Sequence, residues 1–353
     1  MMNSASTPVS PITVGTSRGG RVTLKKTLVA CLVLLIGLLG VIVVASLLGS
    51  EKLPATNSLC ALFSVGTNHC GLTNDQFDIL FQIRLPRILL AAAVGSSLAT
   101  AGASYQALLR NPLAEPYLLG VSNGAAVGTM LALVVFGRAE WSRPALAFVG
   151  ALIATFTVYR LARGRVGATP ERLILAGVIV TTFLSSVIVF VTTLMDATRI
   201  RSFTFWLLGD LSGASKALLP VAIVISLSGT IFLIFNARAL NLLMLGERDA
   251  FDLGVEVGRV RTIVFVVASL LVGSSVAASG SVGYVGLVVP HLARLSLGSD
   301  NRISIPSAAI VGALFVIVAD TIARIVIAPR ELPVGAITAL IGAPLFIYLL
   351  KKA

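Results

Sequence analysis

Apolar stretches of about 20 residues recur roughly ten times along the chain, each long enough to cross a hydrocarbon layer about 30 Å thick as a single helix. Hydrophobic residues make up 56% of the 353 positions and charged ones 12%, which leaves no stretch with the mixed composition of a soluble domain. In lipid every backbone N–H and C=O needs a partner within the protein, so only helices or a closed barrel can span. Continuous apolar runs such as 27–48 lack the two-residue alternation of barrel strands. The sequence therefore predicts an all-α polytopic membrane protein. Its expected spans are 27–49, 84–108, 114–136, 144–163, 171–194, 216–236, 260–280, 284–297, 305–327 and 334–350, the eighth being short. A polar tail, 1–26, precedes one membrane domain, 27–350, and residues 351–353 follow it. The first apolar run is too long for a signal peptide and lacks a small-residue cleavage site, so it reads as a retained span.

Charge sets the orientation. With the N-terminus in the cytoplasm, about 17 of the 27 Lys and Arg fall on inner loops and ends and about 10 outside, as the positive-inside bias requires. An even number of spans then returns Lys351 and Lys352 to the cytoplasm. The net charge of +12 is explained by topology rather than nucleic acid: Arg160, Arg163, Arg165 and Arg172 bracket one inner loop, where cations meet anionic lipid headgroups. Cys31 lies inside the first span. Cys60 and Cys70 share the first outer loop, where an oxidising compartment permits either a disulfide or two free thiols.

One segment is repeated. Val94-Gly95-Ser96-Ser97-Leu98-Ala99-Thr100-Ala101-Gly102-Ala103, in the second span, returns as Val272-Gly273-Ser274-Ser275-Val276-Ala277-Ala278-Ser279-Gly280-Ser281 in the seventh. An offset of five spans makes the copies cross the membrane in opposite directions, the sequence trace of an inverted-topology repeat, the alternative being small residues that let helices approach closely in any bundle.

The chain contains no Gly-Lys-Ser/Thr, so a phosphate-cradling loop for ATP is absent. An ion-coupled carrier would need ionisable groups near mid-membrane. The span interiors offer chiefly Asp320, and Arg324 lies four residues on, in place for a local ion pair. His69 and His291 have no His, Cys or carboxylate at metal-ligand spacing, so no metal site is expected; Gly-x-Ser-x-Gly is also missing. These patterns mean that the chain does not hydrolyse ATP by itself and favour a local ion pair over a proton relay, with an ion-coupled carrier still an alternative and a membrane enzyme the least supported reading.

Several strings exceed what generic helix packing asks for. They are Arg84-Leu85-Pro86-Arg87; Gln106-Ala107-Leu108-Leu109-Arg110-Asn111-Pro112-Leu113-Ala114-Glu115-Pro116; Leu119-Gly120-Val121-Ser122-Asn123-Gly124-Ala125; Leu245-Gly246-Glu247 with Ala250 and Leu253-Gly254; Gly280-Ser281-Val282-Gly283-Tyr284 through Arg294; Ala319-Asp320 through Arg324; and Glu331-Leu332-Pro333-Val334-Gly335 to Gly342-Ala343-Pro344. In this order, from about 84 to 350, they resemble the FecCD-type permeases, membrane subunits of binding-protein-dependent ABC importers for iron siderophores, haem and cobalamin. The resemblance implies the type II importer fold of about ten helices and residence in a bacterial or archaeal cytoplasmic membrane. It implies four kinds of partner: two copies of an ABC ATPase, a periplasmic or lipid-anchored substrate-binding protein, a second permease copy or paralogue, and membrane lipid. ATP would be consumed by the partner ATPase, with no cofactor held by this chain. A ferric siderophore is the expected cargo, with cobalamin or haem as alternatives.

Roles carry over by position. The connection of about 237–260 looks like the family's coupling helices, with Leu245, Gly246, Glu247, Asp249, Ala250, Phe251, Leu253 and Gly254 offered to the ATPase. Arg84, Arg87 and Arg324 match arginines that meet acidic residues of the binding protein, a task suited to a guanidinium fork; Arg199, Arg201 and Arg330 share that side without matching the motif. Thr169, Pro170 and Glu171 fall near the cytoplasmic gate, where Pro170 and Glu171 depart from the small hydroxyl residues of cobalamin relatives. The fifth span, Phe203-Thr204-Phe205-Trp206 and the tenth span are expected near the dimer axis.

Overall fold

A computed structural model of the chain describes residues 24–64, 66–136, 141–164, 167–213 and 218–352. Residues 1–23 of the polar tail, and Arg165, lie outside them. The helices are α1 (Leu24–Leu47), α2 (Ala55–Phe63), α3 (Asn74–Asp78), α4 (Leu85–Leu108), α5 (Val121–Val135), α6 (Ser142–Ala162), α7 (Pro170–Thr192), α8 (Ala197–Leu207), α9 (Leu218–Phe235), α10 (Ala237–Leu245), α11 (Glu247–Asp252), α12 (Val257–Ser279), α13 (Val285–Leu297), α14 (Asn301–Ile325) and α15 (Val334–Lys352). Each expected span coincides with a helix: α1, α4, α5, α6, α7, α9, α12, α13, α14 and α15. Among the described residues six helices are long and apolar enough to cross a membrane unaided. The third span begins later than expected, at Val121 rather than 114, because Glu115-Pro116 breaks the helix into a short 3-10 turn, Pro116–Leu119. A two-residue antiparallel ladder, β1 (Arg163–Gly164) with β2 (Gly167–Ala168), joins α6 to α7.

The core is built on α4. Lipid tails are as apolar as any side chain, so helices here gain little from burial and much from close approach. The α4 sequence supplies it with small residues, and from Val94 to Leu108 nearly every residue is buried. A Cβ on Gly95 would collide with the Gly312 carbonyl of α14, and one on Gly102 with the Gly286 backbone of α13. Gly124 and Gly128 of α5 meet Gly150 and Leu146 of α6 in the same way. Helix α1 lies outside, its apolar face largely uncovered, packed along α14.

The packing partners carry the inverted repeat. The second span, α4, packs on the ninth and eighth, α14 and α13; the seventh, α12, packs on the fourth and third, α6 and α5. Those pairs exchange when every span is moved by five.

Candidate functional site

Two helices start inside the bundle. α5 has 15 residues and α13 has 13, so at 1.5 Å per residue they reach only about 22 and 20 Å, short of the roughly 30 Å layer. Both begin on a left-handed residue, Gly120 (φ 76°) and Tyr284 (φ 67°), and they are the third and eighth spans, equivalent under the repeat. The non-helical segments before them meet. The Tyr117 hydroxyl donates to the Val282 carbonyl at 2.9 Å and accepts from the Val282 N–H at 3.0 Å. Ser122 Oγ donates to Ser281 Oγ at 3.2 Å, and the Tyr284 N–H reaches Glu115 Oε1 at 3.4 Å. Gly286 rests on Leu98 and Gly102, well along α4, which sets the break at mid-span depth.

Irregular backbone is tolerated at such depth only where protein or a polar cavity covers it. The cover comes from the segments after α8 and before α15. The Asp210 N–H donates to the Ser279 carbonyl at 2.7 Å, and the Val334 N–H to the Gly209 carbonyl at 3.0 Å. Side chains of Phe203 and Trp206 stack with ring centres 6.2 Å apart on this element. Paired helix breaks at corresponding places in two inverted halves are where transporters of this construction handle their cargo.

At one end of the bundle, α10 and α11 form a bent pair between α9 and α12. Gly246 (φ 151°) and Gly254 (φ 85°) supply the turns that a side chain would strain. Ala250 is fully buried beneath them, while Leu245, Phe251 and Leu253 are 67%, 71% and 62% exposed, and Arg248 and Asp249 are exposed with them. Glu247, Arg248, Phe251, Asp252 and Val257 line a cleft of about 350 Å³. Glu247, its side chain 44% exposed, also reaches back to the bundle. Its Oε1 accepts from Arg261 Nη2 at 2.5 Å and lies 3.6 Å from Arg110 Nη2. Glu247 is thereby the counter-ion of the buried Arg261 while it still borders the cleft.

The gate candidates lie beside it. Thr169 is the N-cap of α7, its side chain making no cap hydrogen bond but bonding the Glu171 side chain, Pro170 takes the first helical position, and Glu171 is exposed.

Arg84, Arg87 and Arg324 were expected on the opposite, outer surface, and the structure corrects their placement: they are 4%, 7% and 4% exposed. Arg84 donates to the carbonyls of Ser46 and Glu51, each at 2.9 Å, and Arg324 reaches the Ala45 and Leu48 carbonyls at 3.5 and 3.4 Å. The Ala45 and Ser46 carbonyls belong to the last turn of α1, where they have no partner within the helix, and those of Leu48 and Glu51 follow it. Arg87 Nε donates to Asp320 Oδ1 at 2.9 Å and its Nη1 to Glu331 Oε2 at 2.7 Å. Asp320 also pairs with Arg324, Oδ2 to Nε 3.1 Å, without hydrogen-bond alignment. Sequence reasoning foresaw that last pair but missed Glu331, whose carboxylate sits only one residue past Arg330 in a loop.

On the same end, Cys60 and Cys70 are joined, Cα atoms 5.9 Å apart. His69 stacks on Phe77, and His291 meets Phe346 edge-on, 6.3 Å between centres. No cluster of three potential metal ligands occurs among the described residues.

The model of the FecCD transport family matches residues 32–352. The chain belongs to the FecCD transport family. It is 45% identical over 278 residues to the cobalamin import system permease BtuC of Halobacterium salinarum, covering 77% of this chain and 73% of that one. It is 38% identical over 325 residues to the hemin transport system permease HmuU of Yersinia pestis, covering 90% and 96%. A solved structure of a metal-chelate type ABC transporter in an inward-facing conformation superposes with a TM-score of 0.81 at 31% identity, over 92% of this chain and 99% of that one. Within this family, the meeting of α5 and α13 is the feature that sequence reading passed over. Its signal was available: both short apolar spans follow a Pro- or Gly-broken segment at the same place in the repeat.

Proposed function

We propose that the chain is the permease subunit of a type II ABC importer in a bacterial or archaeal cytoplasmic membrane, with the α10–α11 connection on the cytoplasmic side and the disulfide-bearing loop outside. The observation that carries this reading is the exposure of Leu245, Phe251 and Leu253 on a helix pair whose other face is pinned to the bundle. An apolar patch at a bundle end, rimmed by charge, marks a protein contact, and a chain without a nucleotide loop needs an ATPase there. A second permease copy completes the pathway around α7, α8, α15 and the two helix breaks.

The cargo is a bulky metal chelate. The relatives named for cobalamin and hemin support a macrocyclic chelate, cobalamin or haem, over the ferric siderophore expected from resemblance alone; Pro170 and Glu171 at the gate are the departure from cobalamin relatives. For the binding protein, the exposed groups on the outer side include Arg199, Arg201, Arg330 and the half-exposed Glu331, and Arg87 becomes available only by giving up Glu331.

The test is reconstitution with the cognate ATPase and binding protein. Phe251→Asp with Leu253→Asp should abolish ATPase copurification while leaving the permease intact, because substitutions at exposed sites change stability by about 0.5 kcal/mol or less. Copurification at wild-type yield would reject the docking face. Vesicle uptake of cyanocobalamin, hemin and a ferric hydroxamate, compared side by side, assigns the cargo.

A further inference from the structure

We propose that Arg261 is the positioning residue that links the ATPase-docking helix to the two connections leading into the pathway; this rests on the coupling role proposed above for α10 and α11. Arg261 sits in the second turn of α12 and is 6% exposed. Its Nη2 donates to Glu247 Oε1 at 2.5 Å, at the first position of α11. Its Nη1 donates to the Ala168 carbonyl at 2.6 Å, one residue before Thr169, the N-cap of α7. The same Glu247 oxygen lies 3.6 Å from Arg110 Nη2, and Arg110 opens the connection that runs through Glu115 and Tyr117 to the break before α5. One carboxylate–guanidinium unit therefore touches α11, the α6–α7 connection and the α4–α5 connection.

The chemistry suits a link that transmits displacement rather than one that only fills space. A guanidinium holds two acceptors in a fixed plane, so moving Glu247 by the width of a hydrogen bond must either drag Arg261, and with it the Ala168 carbonyl, or break a charge-assisted bond whose guanidinium is buried although its carboxylate is 44% exposed. The buried guanidinium has no ready substitute for either acceptor. The Ala168 carbonyl belongs to β2, and a Cβ on Gly164 of its ladder partner would strike the Arg172 guanidinium, so the strand pair is itself braced against α7. Thr169 has no side-chain cap bond holding it in place, and α7 can shift with the carbonyl that precedes it. Spatial continuity alone does not establish coupling, which is why the test reads motion at the gate.

The reporter is a cysteine at Thr169 in a Cys31→Ser background with the Cys60–Cys70 bridge intact, reacted with a maleimide in the permease–ATPase complex. Labelling rates are compared between the nucleotide-free and the ATP-vanadate-trapped states. With Arg261 present the two rates should differ, and Arg261→Gln should shrink their ratio about fivefold, the scale of a severed coupling contact. Arg261→Lys, whose ammonium reaches one acceptor at a time, should restore part of the ratio. A purely structural role predicts the opposite pattern: lower yield and thermal stability with the nucleotide response retained in the folded fraction. A full nucleotide response in Arg261→Gln overturns the inference. Should that variant not fold, Glu247→Gln, which leaves Arg261 its bond to Ala168 but removes the ion pair, should shrink the ratio at least about twofold, and an unchanged ratio there is equally fatal. A cross-link from Phe251→Cys to the ATPase separates the two levels. Its absence defeats the docking reading, whereas its presence with an unaltered Thr169→Cys response defeats only the role of Arg261.

Discussion

Replacing Arg87 by Met should destabilise the permease itself, not merely weaken docking of a partner. Arg87 and Asp320 are 7% and 1% exposed, and their charges meet at 2.9 Å. Removing the cation leaves Asp320 buried with only the misaligned Arg324 contact, and breaking a buried pair from one side costs about 3–5 kcal/mol. For a chain of this size about 2 °C of melting temperature corresponds to 1 kcal/mol, so the detergent-solubilised protein should melt roughly 6–10 °C lower. Arg87→Met combined with Asp320→Asn leaves no unpaired buried carboxylate but strips Arg324 of its ion pair, so it should recover only part of that loss, at most about half. Glu331→Gln, on a 37% exposed side chain, should cost under about 1 kcal/mol. The assay is thermal unfolding followed by size-exclusion chromatography, with binding-protein association measured on the folded fraction. If Arg87→Met melts like the wild type while association is lost, the guanidinium is a free docking group and the internal network is refuted.

Three further outcomes follow from the packing and the loops. Gly95→Val should lower the melting temperature by the equivalent of about 3 kcal/mol or more, because the new side chain meets the Gly312 carbonyl backbone and neither helix has a flexible atom to yield; an unchanged melt would show that α4 and α14 do not touch there. In intact cells Cys60 and Cys70 should resist impermeant maleimide until a reductant is added, whereas a cysteine placed at Arg248 should stay unlabelled with or without it; labelling of Arg248→Cys from outside would reverse the proposed orientation. Asp300 caps α14 and holds Asn241 of α10 at 2.7 Å, and its hydrogen bonds to Arg302 keep its pKa down at about 2 from 3.8. A depressed folded-state pKa stabilises fully above the unfolded value and is lost as pH falls through the folded one, so hydrogen-exchange protection of α10 should persist to pH 4 and fade below it, and Asp300→Ala should remove it at neutral pH.

The spans were legible because hydrocarbon imposes one simple rule, and every expected one carries a helix. Their ends were less so. The third was placed seven residues early because the apolar residues around Pro116–Leu119 score as span even though their backbone is not α-helical. The coupling segment announced itself through Gly246, Gly254 and the apolar residues among charges, but nothing local in the sequence distinguishes Glu247, which reaches back to the bundle, from the outward Asp249; that depends on Arg261, fourteen residues on and a different helix. The arginines at the other end misled for a related reason. A cation at a span terminus reads as exposed or snorkelling, and only the fold reveals that the C-terminal carbonyls of α1, with Asp320 and Glu331, surround three of them.

The inverted repeat explains why arginines recur in this structural role at opposite faces. The connection between the first and second spans, 48–84, carries two short helices, α2 and α3; the one between the sixth and seventh, 236–256, carries α10 and α11. Under the repeat these are the same connection, emerging on opposite sides of the membrane. Each is tied back by an arginine just ahead of the repeated motif: Arg84, ten residues before Val94, binds the Ser46 and Glu51 carbonyls, and Arg261, eleven before Val272, binds Glu247. The two differ in what they hold. Arg84 grips backbone carbonyls beneath a loop closed by the Cys60–Cys70 bridge. Arg261 grips the Glu247 side chain and a carbonyl at the head of α7. The two connections are thus fastened by the same residue type in two ways, to backbone alone on one face and to a carboxylate together with a backbone carbonyl on the other.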